Sequence, residues 1–219
     1  MTEYPRAGER LRMVEHQIAA RGIKHPRILA AMQQIPRHIF IPPPHDRSAY
    51  DDSPLPIGNG QTISQPYIVA VMTELLDPKP EDRILEIGAG SGYQAAILAM
   101  LAAEVISIER IPAVAALARS NLETLGITNA KVIVADGTLG HPPDSPYNGI
   151  IITAATPQIP KPLLDQLDDG GQLVAPVGDR DIQELVRIKN SGGRFVETHH
   201  GSVRFVPLIG EYGWEGGNA

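Results

Sequence analysis

The chain has 219 residues, of which 42% are hydrophobic and 20% are charged, and its formal net charge is −6 at pH 7. This size and composition predict a single globular domain with a sizeable core, and the acidic charge argues against a general nucleic-acid partner, because binding to phosphates needs a basic surface. The sequence contains no cysteine, which excludes disulfides, thiolate metal sites and cysteine nucleophiles.

The beginning of the chain lacks the apolar core of a secretory signal peptide. No uninterrupted apolar run approaches the roughly 20 residues that a membrane-spanning helix needs. We therefore expect a soluble cytoplasmic protein without a membrane partner.

Residues 1–80 are predicted to form an N-terminal extension. Apolar residues recur at helical spacing over residues 10–22, and Pro26 suits the first turn of a second helix that runs until Pro36. From there to Pro66 the chain is rich in proline and glycine, but it contains too many apolar residues for a solvated tether. We expect an extended, irregular segment that packs against the rest of the protein.

Residues 81–219 are predicted to form an α/β core within the same single domain, 1–219. Apolar runs that predict buried strands are RILEI (83–87), EVISI (104–108), KVIVA (131–135), GIIIT (149–153) and QLVAPV (172–177). Helical segments lie between them, and a terminal strand pair is expected over residues 184–189 and 194–200. Continuous apolar strands that alternate with helices predict a mostly parallel, doubly wound sheet with both faces covered.

A glycine-rich loop follows the first of these strands, in the sequence ILEIGAGSGYQAA. Its three glycines, Gly88, Gly90 and Gly92, lie where the strand ends and a helix begins. Glycines at such a turn let the backbone turn tightly and let a ligand approach the main chain. Because the strand and the helix are both present, the loop predicts a cofactor site.

The residues around this loop favour one cofactor class. A dinucleotide fingerprint has its third glycine one position later, where this chain has Tyr93. Glu86, which precedes the loop, would repel a pyrophosphate but suits a cationic amino-acid ligand. S-adenosylmethionine is such a ligand, since it carries an amine and a sulfonium and has no phosphate.

Two further acids follow the next two strands. Glu109 could accept hydrogen bonds from both ribose hydroxyls of a nucleoside, and Asp136, followed by Gly137, could bind the adenine amino group. Each could instead be a solvated acid at a strand end or turn. Three acids after three successive strands nevertheless predict a nucleoside site at the carboxyl edge of the sheet, and hence a methyltransferase.

Several blocks of the chain closely resemble the protein-L-isoaspartate O-methyltransferase family, and the resemblance runs from about residue 10 to residue 210. These blocks are RHIFIP (37–42), DDSPLPIGNGQTISQPYIVAVMTELL (51–76), LEIGAGSGYQAAILA (85–99), VISIER (105–110), ADGTLG (135–140), IIITAATPQIP (150–160) and VRFVPL (203–208). The glycine loop is shared by many methyltransferases, whereas GQTISQP is far more specific to this family.

The resemblance implies a Rossmann-like, S-adenosylmethionine-dependent methyltransferase with one reversed strand near the end of its sheet. It also implies an activity: methyl esterification of the free α-carboxylate of L-isoaspartyl residues, and more weakly of D-aspartyl residues, in age-damaged proteins and peptides. The ester then collapses to a succinimide, from which a normal aspartyl linkage can re-form.

The resemblance also assigns site residues. Ser64 matches the presumed catalytic serine, and Thr62, Ile63, Ser64 and Val206 lie in the substrate-binding segments. The cofactor-binding positions are Glu86, Gly88, Gly90, Glu109, Asp136 and Gly137. The chain departs from the family where it has Ala135 before Asp136, and where it has Asn148-Gly149 in place of a common Asp-Ala.

The segment GNGQTISQP (58–66) has no group that titrates near neutral pH. None is needed for this chemistry, because a carboxylate with a reference pKa near ~4 is already ionised. Neutral donors such as Ser64 and Thr62 would orient the substrate without lowering its nucleophilicity. Ser64 could also be only a helix cap before Pro66.

Three other functions remain open at this point. The first is another S-adenosylmethionine-dependent methyltransferase, acting on a small molecule or RNA. The second is a nicotinamide-dependent oxidoreductase, and the third is a catalytically inactive binding module. The histidines are scattered and form no metal-binding motif, so we expect no metal site.

Overall fold

The computed structural model describes residues 4–215. Its central feature is a seven-stranded sheet in the order β5-β4-β3-β6-β7-β8-β9. The strands are β3 (Arg83–Ile87), β4 (Glu104–Glu109), β5 (Ala130–Val134), β6 (Tyr147–Ile152), β7 (Leu167–Gly178), β8 (Gln183–Ser191) and β9 (Arg194–Val203). Only β8 runs antiparallel to its neighbours, which confirms a mostly parallel sheet with one reversed strand.

The order of the strands determines where a ligand can bind. The chain moves outward from β3 to β4 and β5, and then returns to place β6 on the other side of β3. In open α/β sheets the crevice beyond the carboxyl ends of the strands at such a switch point is the usual binding site. In this protein the crevice lies beside the glycine loop that follows β3.

Within residues 4–215, six α-helices accompany the sheet. They are α1 (Ala7–Arg12), α2 (Pro26–Gln34), α3 (Pro66–Leu76), α4 (Tyr93–Ala99), α5 (Pro112–Thr124) and α6 (Lys161–Asp165). The first predicted helix, 10–22, is a succession of α1, a π-helical turn over Met13–Ile18 and a 3₁₀ turn over Ala19–Arg21. It ends at Gly22, which has a φ of 105°.

Both faces of the central strands β3, β4 and β6 are buried, which explains why these strands are almost continuously apolar. Successive side chains of a strand point to opposite faces, and Ile84 and Leu85 of β3 accordingly belong to different core clusters. One cluster packs under α2 to α5 and the N-terminal extension, and the other under α6 and Leu208. The domain bounds of 1–219 stay a prediction, because residues 1–3 and 216–219 lie outside the described residues.

The segment between Pro36 and Pro66 is more regular than we expected. It contains 3₁₀ turns over Arg37–Phe40 and His45–Ser48, and then an antiparallel hairpin of β1 (Leu55–Gly58) and β2 (Gln61–Ile63). Asn59 and Gly60 form the turn, with φ values of 52° and 69°. Positive φ at both positions is what a two-residue type I′ hairpin turn requires, and Asn-Gly is its strongest sequence signal. The expectation of an irregular chain was therefore wrong for residues 55–63.

A buried arginine joins this extension to the core. Arg37 is fully buried, its Nε donates to the Ala49 carbonyl at 2.8 Å, and its guanidinium lies 5.0 Å from the centre of the Tyr93 ring. Burial lowers the pKa of Arg37 to about 10, so the side chain remains a cation at neutral pH. Since Tyr93 begins α4 directly after the glycine loop, this contact connects the extension to that loop.

We expect Arg37→Ala to destabilise the protein by about 2–4 kcal/mol, because the substitution leaves a cavity under the extension and removes the hydrogen bond to Ala49. Arg12→Ala is the matched control, since Arg12 is exposed and its loss should change the free energy of unfolding by less than about 0.5 kcal/mol. Urea denaturation measures both. Equal effects of the two substitutions would contradict the anchoring role.

Candidate active site

The glycine loop is shaped by close contacts that leave no room for side chains. Gly88 has a φ of 97°, and a Cβ atom at this position would lie 2.6 Å from Thr153 Oγ1. Thr153 follows β6, and its hydroxyl lies within hydrogen-bonding distance of the carbonyls of Ile87, at 2.9 Å, and Gly88, at 2.6 Å. The end of β6 therefore holds the first peptide of the loop against the sheet.

Glu109 holds the other side of the loop. Its Oε2 accepts the amide of Gly90 at 3.0 Å, and its Oε1 accepts the amide of Ile111 at 2.9 Å. The residue is buried, yet each carboxylate oxygen retains a lone pair for another donor. The structure thus brings the predicted ribose-binding acid into direct contact with the glycine loop.

Glu86 is fully buried at the end of β3. Its Oε2 accepts a hydrogen bond from the hydroxyl of Ser107, whereas its Oε1 has no partner among the described residues. Burial raises the pKa of Glu86 to about 8, and the nearby Glu109 adds to this effect, although the hydrogen bond from Ser107 opposes it. An unpartnered buried carboxylate oxygen at a cavity wall is a site for a cationic donor such as an ammonium group.

Three adjoining cavities surround these residues. The inner cavity is lined by Glu86, Gly88, Gly90 and Ser64, among others. A second cavity shares Gly88 and Glu109 with the first and is also lined by Ile111, Gly137 and Pro207, among others. We call it the nucleoside cavity after the ligand that the sequence predicts beside Glu109. The outer cleft has a volume of about 660 Å³ and includes Pro54, Ile68, Ile182 and Phe205 in its wall.

Four residues line both the inner cavity and the outer cleft: Thr62, Ser64, Thr153 and Val206. We call this group the shared wall. Three of its members were predicted as substrate-binding residues, and the fourth prediction, Ile63, is buried and borders the inner cavity only. Sequence reasoning assigned no role to Thr153, although its polar side chain directly after an apolar strand end was a usable signal.

The geometry excludes one of the two interpretations of Ser64. The helix α3 begins at Pro66, its N-cap residue is Gln65, and no side chain caps it. Within residues 4–215 the Ser64 hydroxyl forms no hydrogen bond to another protein group. The interpretation of Ser64 as a helix cap was therefore wrong, and its hydroxyl is available to a ligand.

Asp136 is more constrained than we expected. Its Oδ1 accepts the amide of Thr138 at 2.9 Å and the hydroxyl of the same residue at 2.7 Å, while its Oδ2 accepts the amide of Glu211 at 2.8 Å. Burial alone would raise the pKa of Asp136, but these hydrogen bonds outweigh it and lower the pKa. Gly137 borders the nucleoside cavity and Asp136 does not, so its predicted contact with adenine stays a prediction.

A family model described as Protein-L-isoaspartate(D-aspartate) O-methyltransferase matches residues 9–213. The chain belongs to this family. A protein-L-isoaspartate O-methyltransferase of Methanoregula boonei is 64% identical over 214 residues, which cover 98% of this chain and 99% of that protein. Its counterpart from Methanospirillum hungatei is 63% identical and covers 96% of this chain and 97% of its own length.

Solved structures agree with this assignment. One protein-L-isoaspartate O-methyltransferase superposes with a TM-score of 0.84 at 28% identity, over 94% of this chain and 67% of that one. A Plasmodium falciparum structure, described as a candidate member of the family in complex with S-adenosyl-L-homocysteine, has a TM-score of 0.79 at 25% identity, over 91% and 98% of the chains. The predicted family and fold are confirmed, and the nicotinamide-dependent alternative is left without support.

The family depends on S-adenosylmethionine, and the site fits this cofactor. The free Oε1 of Glu86 suits the ammonium group of its amino-acid part, and Gly88 and Gly90 line the same cavity without side chains that would block a ligand. Among residues 4–215 no cluster of His, Asp and Glu side chains could hold a metal ion. None of the helices in that range combines the length and the apolarity that crossing a bilayer requires.

The two departures from the family pattern lie away from the shared wall. Asn148 is at the amino-terminal start of β6, where its Oδ1 accepts the amide of Arg83 at 2.9 Å and its Nδ2 lies 3.3 Å from Asp168 Oδ2. Ala135 is partly buried against the second core cluster. Both departures are therefore accommodated by the fold.

We expect Thr153→Val to weaken the binding of S-adenosyl-L-homocysteine about tenfold, because it removes the donor that holds the Gly88 carbonyl and such a loss costs about 1.4 kcal/mol. Thr153→Ser keeps the hydroxyl and should bind within about twofold of wild type. Isothermal titration calorimetry measures both variants. If serine and valine weakened binding equally, the hydroxyl would not be the cause.

We also expect Glu86→Gln to change how stability depends on pH. The pKa of Glu86 rises from 4.5 to about 8 on folding, so its contribution to stability is complete below the unfolded pKa and is lost as the pH rises through the folded pKa. Without ligand, the free energy of unfolding of wild type should fall relative to that of Glu86→Gln between about pH 5 and pH 8. Urea titrations across this range test the expectation, and a constant difference would refute it.

Proposed function

We propose that this protein transfers the methyl group of S-adenosylmethionine to the free α-carboxylate of L-isoaspartyl residues, and more weakly of D-aspartyl residues, in damaged proteins and peptides. The methyl ester starts repair, because it collapses to a succinimide that can reopen to a normal aspartyl linkage. The observation that carries the proposal is the shared wall, through which a buried, acidic inner cavity meets an open outer cleft large enough for a peptide segment.

The acidic side chains hold the cofactor in this proposal. When bound, S-adenosylmethionine supplies a methyl group on a positively charged sulfonium. The free Oε1 of Glu86 accepts its ammonium group, and the remaining lone pairs of Glu109 accept the ribose hydroxyls. Gly88 and Gly90 would let the cofactor approach the backbone, and Asp136 and Gly137 would hold its adenine.

The neutral side chains of the shared wall hold the substrate. The isoaspartyl carboxylate is ionised at neutral pH, since its reference pKa is near ~4, so no general base is required. Hydroxyl donors such as Ser64 and Thr62 can orient the attacking oxygen without the strong charge neutralisation that a lysine or arginine would impose. Alignment of this kind contributes up to ~7–11 kcal/mol in favourable cases.

The C-terminal segment from Val203 to Leu208 closes the other side of the cleft. The Val206 carbonyl accepts the amide of Ala155 at 2.7 Å, and the amide of Leu208 donates to the Ala155 carbonyl at 2.7 Å. These two bonds fix the segment along the chain that follows β6 and place Val206 opposite the hairpin. A substrate peptide between the two would be shielded from water at its reacting carboxylate.

The substrates are therefore age-damaged proteins and peptides, with no nucleic acid or membrane required. The proposal includes a cytoplasmic location, with which a cysteine-free chain is compatible. The family match and the relatives named above favour this acceptor over a small molecule or RNA, and favour an enzyme over an inactive binding module.

Transfer of a labelled methyl group to a pair of peptides tests the proposal. One peptide contains isoaspartate and the other contains aspartate at the same position. We expect a base-labile methyl ester on the isoaspartyl peptide only. Transfer to neither peptide would overturn the proposal, and equal transfer to both would show that the acceptor is not isoaspartate.

Replacement of Ser64 tests its catalytic role. We expect Ser64→Ala to lower kcat about tenfold to a hundredfold, because an orienting hydrogen bond is lost, while the dissociation constant of S-adenosyl-L-homocysteine stays within about threefold. Ser53→Ala is the control, since Ser53 precedes the same hairpin and borders none of the three cavities. An unchanged kcat in Ser64→Ala would remove Ser64 from the mechanism.

A further inference from the structure

The chain contains two Asn-Gly dipeptides, Asn59-Gly60 and Asn148-Gly149. In such a pair the amide nitrogen of the glycine can attack the side-chain carbonyl of the asparagine, because glycine offers little steric hindrance. This reaction is the spontaneous route to the very lesion that the proposed function removes. The structure places the two dipeptides in opposite environments.

Asn148-Gly149 is held in place. Both ends of the Asn148 side chain are engaged, by the amide of Arg83 and by Asp168. Gly149 is buried in β6 between β3 and β7, and a Cβ atom there would lie 2.7 Å from Ile84 Cδ1. Ring closure at this dipeptide would require the centre of the sheet to open, which costs about the global free energy of unfolding.

Asn59-Gly60 lies at the exposed tip of the hairpin formed by β1 and β2. Within residues 4–215 the Asn59 side chain makes no hydrogen bond, and a Cβ atom at Gly60 would meet nothing within 4 Å. The left-handed turn restrains the backbone, so ring closure needs a local opening of the turn, but only two short strands oppose that opening.

We propose that Asn59 is the position at which this protein itself acquires isoaspartate, and that another copy of the enzyme then methylates it. The second half of this proposal rests on the proposed function. The first half is spontaneous chemistry that the fold permits at Asn59 and prevents at Asn148.

The reaction balances with water as the only co-reactant. The Gly60 nitrogen bonds to Cγ of Asn59, the bond from Cγ to the amide nitrogen breaks, and ammonia leaves. Water then opens the succinimide at its main-chain carbonyl, which leaves a free α-carboxylate and a backbone that continues through the former side chain. Methylation of this carboxylate forms an O–CH₃ bond as the S–CH₃ bond of S-adenosylmethionine breaks.

The position of the lesion predicts its effect on the enzyme. Isoaspartate inserts a methylene into the backbone of a two-residue turn, next to Gln61, which borders both the inner and the nucleoside cavities. The changed turn no longer matches the register in which Leu55 pairs with Ile63. We expect aged protein to lose activity in proportion to the modification of residue 59.

Repair must take place between two molecules. Residue 59 precedes Ser64 in the same hairpin, and β2 lies between them paired to β1. Bringing the α-carboxylate of residue 59 to the shared wall of its own molecule would unravel the strand that forms this wall. The exposed turn of one molecule can instead enter the outer cleft of another.

The first experiment measures the lesion without any methyl donor. The full-length protein is incubated at elevated temperature and mildly alkaline pH, digested, and analysed by mass spectrometry with fragmentation that distinguishes isoaspartate from aspartate. We expect isoaspartate at residue 59 to form at least about tenfold faster than at residue 148, which corresponds to an opening that is easier by about 1.4 kcal/mol. An equal or slower rate at residue 59 would overturn the proposal.

The second experiment measures repair between copies. Aged Ser64→Ala protein serves as the acceptor, fresh wild type as the enzyme and labelled S-adenosylmethionine as the donor. Aged Ser64→Ala/Asn59→Gly is the matched acceptor, because glycine keeps the left-handed turn and removes the reactive amide. We expect label in the peptide that contains residue 59, at a rate proportional to the concentrations of both enzyme and acceptor, and none at this position in the control.

A synthetic isoaspartyl peptide in the same assay separates the two proposals. If this peptide is not methylated, the proposed function fails. If it is methylated while the aged protein remains unlabelled at residue 59, repair between copies is refuted and the proposed function stands.

Discussion

The carboxylate of Glu109 is the constraint on which the rest of the site depends. By accepting the amides of Gly90 and Ile111, it fixes the glycine loop on one side and the approach to α5 on the other. Thr153 performs the matching task at the far side of the loop through the carbonyl of Gly88. These side-chain bonds act together with the backbone bonds from the amides of Gly88 and Ala89 to the Ile108 carbonyl, and they hold the loop that forms walls of the inner and nucleoside cavities.

The charges of the site are distributed according to the two ligands that it must hold. The cofactor side is acidic and buried, and Glu86 keeps a carboxylate oxygen without a protein partner. That arrangement weakens the ligand-free protein but gives a cationic ligand a large electrostatic advantage. The shared wall, in contrast, offers only hydroxyls and apolar groups. The reaction of an anionic nucleophile with a cationic methyl donor depends more on alignment and on the exclusion of water than on additional charge.

The bounds of secondary-structure elements can be predicted from the sequence where burial determines the pattern of apolar residues. The bounds of β3 were predicted to the residue because every position after Arg83 is buried, and Glu86 and Glu109 stood out as the acids that interrupt or end apolar strands. The helix over 10–22 and the start of β7 were less well defined. The predicted strand begins at residue 172, whereas pairing of β7 begins at Leu167, in a stretch that contains two glycines and two acids.

The residues that sequence reasoning missed depend on contacts that are distant along the chain. The local signal at Thr153 is only a polar side chain after an apolar strand, and its role becomes visible where its hydroxyl meets a carbonyl 65 residues earlier. The contact of Asp136 with a ligand stays a prediction, and nothing in the sequence indicates that its Oδ2 also accepts the amide of Glu211, 75 residues later. The hairpin at residues 55–63, in contrast, has a local sequence signal, the Asn59-Gly60 pair at its turn. Ser64 borders the inner cavity and the outer cleft, its catalytic role stays a prediction, and the geometry of α3 shows that it does not cap the helix.

The position of the C-terminal segment determines when the walls of the site are complete during synthesis. Val206 and Pro207 form walls of the cavities, and Glu211 is tied to Asp136, so the last part of the described chain completes a site whose other walls were synthesised much earlier. A chain still on the ribosome can form the glycine loop and the hairpin, but its cleft lacks one side. The cavities are therefore complete only after the segment from Val206 to Glu211 has been synthesised and has docked beside the end of β6.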